Sequence, residues 1–256
     1  MGFLRDTGTV FAREFAPVPR EPVGLVFNMV QPLLFLLMFG SLLAGSGGAG
    51  GFAGAADGGA WQWFVPGVLI MMCLFGPMMA GYGLLVELLG GSLERLLVTP
   101  LNRVAMLVGR VLKEFVMLLA QAVVLICVAM PLGFRPDLAG TVVALALLAV
   151  LGVGLGALSF VLAIASKPSG TLFYLVTQTV LFPLVLLSGV LLPLTAAPGW
   201  MRAIAAVNPL RYVVDAERAL LTGAFTPGPV LSGLVAALLV AVIGLAAGTR
   251  AMRRAV

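Results

Sequence analysis

Between two long apolar runs lies the connector ELLGGSLERLLVTPLNR, residues 87–103, whose residue types suit docking better than catalysis. Leu93, Leu96 and Leu97 recur at helical spacing, Ser92 and Glu94 are placed like a helix start, and Thr99-Pro100 is placed like a stop. The spacing predicts a short amphipathic helix, either resting at a membrane interface or presented to another protein. A second constellation is Arg211, Asp215 and Arg218, at i, i+4 and i+7 on one helical face with Glu217 beside them. It reads either as the polar lining of a pathway mouth or as a solvated ion-pair face.

Other chemistry is excluded by what the chain lacks. Without histidine there is no imidazole acid–base catalysis and no histidine-ligated metal, and two scattered cysteines cannot build a zinc site. No metal site is expected. Neither Lys113 nor Lys167, the only lysines, ends a G-x-x-x-x-G-K-[ST] loop, so the chain cannot bind ATP through a P-loop. It is not expected to be an enzyme. Gly152, Gly154 and Gly156 imitate part of a dinucleotide fingerprint, but inside an apolar run small residues more simply allow close helix packing.

The elements that must position these groups are set by composition. At 61% hydrophobic, 10% charged and mean hydropathy +1.15, the chain has more apolar surface than a soluble core of this length could hide. It reads as an all-α integral membrane protein, a single domain over residues 1–256. A helix needs about 20 apolar residues to span the hydrocarbon, and charge-free windows place six spans near 23–43, 62–86, 112–132, 139–165, 170–192 and 229–249.

With both termini on the cytoplasmic side, Arg5, Arg13, Arg20, Arg95, Arg103, Arg110, Lys113, Lys167, Arg250, Arg253 and Arg254 fall inside. Only Arg135, Arg202, Arg211 and Arg218 fall outside. The net charge of +5 thus follows from topology, and no basic soluble face suggests nucleic acid. The 87–103 connector is cytoplasmic on this reading. No cleavable signal sequence is expected, because Arg5, Asp6, Arg13 and Glu14 interrupt the start.

Residues 1–22 read as an interfacial helix, with Phe3, Leu4, Val10, Phe11 and Phe15 on one side and Arg5, Asp6, Arg13 and Glu14 on the other. Residues 44–60, nearly all Gly and Ala, read as a flexible outer link. Residues 193–228 read as two short helices broken near Asn208-Pro209, dipping back into the membrane. No acid is expected deep within a span, since Glu87 and Glu114 stand at inner ends. Pro32, Pro77 and Pro183 are expected to kink their spans, while Asn28, Gln31, Gln121 and Gln178 are amides that bond across helices or line a path.

The runs GSLERLLVTPLNR, GRVLKE from Gly109, SGVLLPLTAAPGW from Ser188 and NPLRYVVDAERALLTG from Asn208 together resemble the type-2 ATP-binding cassette permeases, nearest the daunorubicin-resistance branch. The likeness covers nearly the whole chain from Arg20. It implies that Gly91 to Pro100 forms a coupling helix seated in a cytoplasmic ATPase, with Ser92, Leu93, Glu94, Arg95, Leu96, Leu97 and Thr99 in the contact and Glu87 just before it. One departure is Leu88-Leu89-Gly90, where family members often carry a charged run.

The likeness further implies outer re-entrant helices with Asn208, Pro209, Arg211, Asp215 and Arg218 as gate elements, and a path between two permeases along faces of the first, second and fifth spans, for which Asn28, Gln31 and Gln178 are the candidate lining amides. The expected assembly is two permeases, alike or different, in a bacterial plasma membrane, with ATP and Mg held by the separate ATPase subunits. The expected function is export of a hydrophobic or amphipathic compound, or by the same architecture a glycan-lipid. An ion-coupled carrier and a membrane scaffold are the readings from other classes.

Overall fold

Charge-free apolar runs can satisfy their backbone polar groups within a bilayer only as helices or closed barrels. In a computed structural model of the chain, which describes residues 3–20, 22–45, 59–91, 103–191, 194 and 197–254, all regular structure is helical. The helices are α1 (Phe3–Phe15), α2 (Pro22–Gly45), α3 (Gly59–Leu89), α4 (Arg103–Ala129), α5 (Leu138–Ala165), α6 (Thr171–Thr179), α7 (Leu181–Leu186), α8 (Gly199–Val207), α9 (Pro209–Leu221) and α10 (Pro227–Arg254). The coupling residues Ser92, Leu93, Glu94, Arg95, Leu96, Leu97, Thr99 and Pro100, and most of the Gly-rich link, lie outside the described residues.

Among the described residues, four helical stretches are long and apolar enough to cross a membrane: Gly59–Leu89, Val104–Leu132, Leu138–Ala165 and Pro227–Met252. Two shorter apolar stretches, Val26–Leu42 and Thr171–Leu186, stand at the first and fifth expected spans. The apolar windows of α3 and α5 are 67% buried against 28% for α4 and α10, so α3 and α5 form the centre and the others wrap them. Their shared core includes Phe64, Leu69, Leu74, Leu125, Leu148 and Leu151. α5 meets α10 where glycine removes the side-chain spacer: a Cβ at Gly154 would come within 2.7 Å of Ala241. This gives the glycine run a packing role.

The fifth span departs from the continuous helix expected over 170–192. α6 ends at Thr179 and α7 starts at Leu181, because Pro183 has no N–H for the Thr179 carbonyl and its ring crowds that oxygen. Val180 N still donates to Val176 O at 2.9 Å, and Leu184 N resumes the ladder on Val180 O at 3.1 Å.

α1 is helical as expected and packs on α4. Asp6, Thr7 and Val10 are buried against the rest of the molecule while Leu4 is 83% exposed. The close approach is made on α4, where Gly109 admits the α1 backbone. A Cβ there would sit 2.9 Å from the Val10 side chain and 3.0 Å from the Thr7 carbonyl oxygen. Phe11 and Phe15 stack on each other at 5.4 Å.

Candidate functional site

A cavity of about 570 Å³ opens between α1, α2, α3 and α4, within the size range of small-molecule sites. Phe27, Phe35, Phe75, Met71, Met72 and Met79 furnish its apolar wall, in which flexible thioethers can adapt to differently shaped guests. At the end where α3 stops and α4 starts, the lining becomes ionic. Arg110, Lys113 and Glu114 occupy i, i+3 and i+4 of α4, Glu87 comes from the last turn of α3, and Glu14 from the end of α1. Arg110 Nη2 lies 2.6 Å from Glu87 Oε2 and 3.4 Å from Glu14 Oε1, while Lys113 Nζ lies 3.1 Å from Glu114 Oε1.

Asn28 and Gln31 of α2 line this cavity together with Gln121 of α4. The sequence-derived path residues therefore divide: Asn28 and Gln31 converge, whereas Gln178 is exposed on α6 away from them. An apolar wall joined to amides and paired charges can hold an amphiphile with its polar end at the ionic floor.

Glu87 also marks the exit of α3. Gly91, at φ +70°, takes the left-handed conformation that ends helices, and Gly90 N donates to Val86 O at 2.9 Å. The chain leaves for residues 92–102 immediately beyond the ionic floor.

At the opposite end, the break at Asn208 is held by side-chain bonds. Asn208 Oδ1 accepts from Leu210 N at 3.0 Å, capping α9, and its Nδ2 donates to Leu184 O of α7 at 2.8 Å. Pro209 fills the first helical position, where its missing N–H is harmless. Tyr212 Oη donates to Ala206 O at 2.8 Å, stapling α8 to α9. An Asn208→Asp change keeps the cap but sets an oxygen against the Leu184 carbonyl, at a cost of about 1–3 kcal/mol. Thermal unfolding in detergent should show a clear fall in Tm, and an unchanged Tm would exclude Asn208 as the tie between α7 and α9.

The expected polar face of α9 is only partly assembled. Arg218 Nη1 and Asp215 Oδ1 are 3.8 Å apart, while Arg211 makes no ion pair among the described residues. Arg218 instead reaches to α3 and the turn after α7, through Nε to Trp63 O at 3.2 Å and Nη2 to Gly189 O at 2.9 Å. Glu217 corrects the sequence reading outright: it does not join that face but is 0% exposed in the core. Two residues beyond Asp215 along a helix is about 200° of rotation, and this puts Glu217 in line with Leu210, Val213, Val214 and Leu221. That stripe was the available signal. The ionic cluster was missed as a site although its i, i+3, i+4 spacing is visible, because its convergence with Glu14 and Glu87 depends on how α1 docks.

The ABC-2 type transporter family matches residues 5–222. The chain is similar to the daunorubicin resistance ABC transporter permease protein DrrB1 of Streptomyces coeruleorubidus, 30% identical over 79% of this chain and 70% of that one. It is likewise similar to the putative transport permease ycf38 of Cyanophora paradoxa, 28% identical over 84% of this chain and 74% of that protein. A third relative is the probable doxorubicin resistance ABC transporter permease protein DrrC of Mycobacterium tuberculosis, 26% identical over 84% of this chain and 75% of its own length. All-helical apolar architecture and a family match over most of its length agree: the chain belongs to the ABC-2 type transporter family of membrane permeases.

Proposed function

We propose that this permease is the membrane subunit of an exporter that moves a hydrophobic or amphipathic compound, driven by a separate cytoplasmic ATPase. The cavity carries the reading. It joins a Phe- and Met-lined wall to an ionic floor, and Glu87 of that floor stands four residues before the loop that begins at Gly91. The names of the daunorubicin and doxorubicin resistance relatives agree with a drug-like amphiphile.

The working assembly is two permeases with two ATPases in a plasma membrane, ATP and Mg being held by the ATPases. Both termini and residues 92–102 face the cytoplasm, in keeping with the basic-residue asymmetry. ATP binding closes the partners and displaces Glu94, Arg95, Leu96 and Leu97, and the permeases shift between states that bind substrate differently. Asn208, Pro209, Arg211, Asp215 and Arg218 belong to the outer gate.

The coupling part is tested with Glu94→Ala and Arg95→Ala together in proteoliposomes holding the ATPase, with daunorubicin as fluorescent probe. Transport per ATP hydrolysed should fall at least tenfold. Unchanged transport would remove the coupling role from this loop.

A further inference from the structure

Arg110 is buried, 9% exposed, and ties α4 to two other helices. One nitrogen, Nη2, contacts Glu87 at the end of α3 and Glu14 at the end of α1, while the residue itself belongs to the second turn of α4. These are the two helices between which residues 92–102 are strung, together with the N-terminal helix that covers the cavity's ionic end. Removal of either carboxylate would leave the guanidinium with one fewer charged partner in a largely desolvated place, where ion pairs are screened least. The neighbouring close contact at Gly109 brings α1 onto α4 one residue earlier, so backbone packing and charge act at the same point.

We propose that Arg110 is a positioning residue for the transport cycle. It locks α1, the end of α3 and the start of α4 into one body, so that displacement of the loop at 92–102 moves the cavity's ionic floor and α1 together. The transport consequence rests on the exporter reading given above; the lock itself does not.

The test uses the full-length chain in lipid nanodiscs with Cys73→Ala and Cys127→Ala, carrying spin labels at exposed sites. Labels at Leu4 and Leu89 report α1 against α3, and labels at Leu89 and Leu112 report α3 against α4. In the parent both distance distributions should be narrow. Arg110→Gln should at least double both widths. Glu14→Gln should broaden only the first and Glu87→Gln should broaden both, so the lock can be judged even where Arg110→Gln does not fold. Unchanged widths in the two carboxylate variants would overturn the lock.

With the ATPase present, daunorubicin moved per ATP hydrolysed should fall at least fivefold in Arg110→Gln, a ratio that a merely structural role would leave unchanged. A parent that lacks ATP-dependent transport while its label widths respond would refute the exporter reading alone. A parent that transports while its widths do not respond would refute the lock alone.

Discussion

The Arg218→Ala variant should unfold in detergent about 6–12 °C below the parent, for a loss of about 3 kcal/mol in a chain of this size. Its guanidinium makes two charge-assisted bonds to backbone carbonyls, Trp63 O at 3.2 Å and Gly189 O at 2.9 Å. Its Cζ also lies 4.1 Å from the Trp63 ring centroid. Hydrogen bonds to charged groups contribute about 1.5–3 kcal/mol and cation–π contacts about 0.5–2 kcal/mol, with incomplete additivity.

The 3.8 Å contact with half-exposed Asp215 adds little by comparison. The carbonyls left behind belong to the start of α3 and the turn after α7, so α9 loses its tie to both. Arg218→Lys should recover less than half of the loss, since one ammonium cannot serve two carbonyls and cover the ring as a planar fork does. A Tm for Arg218→Ala within a degree of the parent would show that α9 is held by its apolar face alone.

Glu217→Met should act in the opposite direction. Both carboxyl oxygens of Glu217 are buried without a hydrogen-bond partner among the described residues, on a helix that packs against α3, α5 and α10. A buried polar group left unsatisfied costs about 1–3 kcal/mol, and an apolar side chain of similar length removes the cost without opening a cavity. The expected rise in Tm is about 4–8 °C for a gain of about 2 kcal/mol. Glu217→Gln, which keeps a polar end group in the same place, should gain less. A fall in Tm for the methionine variant would mean that the carboxyl has a partner in the folded state.

The membrane-crossing helices were legible because a bilayer demands long charge-free windows, and these recur between charged connectors. Pro183 marked the fifth span for a kink, but nothing in the sequence showed that this proline, unlike the others, would divide its helix. Pro32, Pro66 and Pro77 sit within continuous α2 and α3, yet Pro183 divides α6 from α7. Exposure does not separate the two outcomes: α3 is buried around Pro66 and Pro77, but α2 also runs on through Pro32 with Phe27 70% and Met38 67% exposed.

At the site, Asn28 and Gln31 could be picked out as amides in an apolar run, and the helix break at Asn208 followed from the Pro after it. Spacing could place Arg218 on a face but not foretell that it reaches the carbonyl of Trp63, 155 residues away in sequence. Glu217 is a simpler case: it neighbours Arg218 in sequence, but at 100° per residue the two point to different sides of the helix.

The proposal that ATP hydrolysed by a partner drives this permease is tested by daunorubicin uptake into inverted vesicles with and without the cassette ATPase. Uptake that requires both the ATPase and ATP, and that collapses in the Glu94→Ala, Arg95→Ala variant, is the expected result. Uptake that persists without the ATPase, or that follows an ion gradient in its absence, would contradict it.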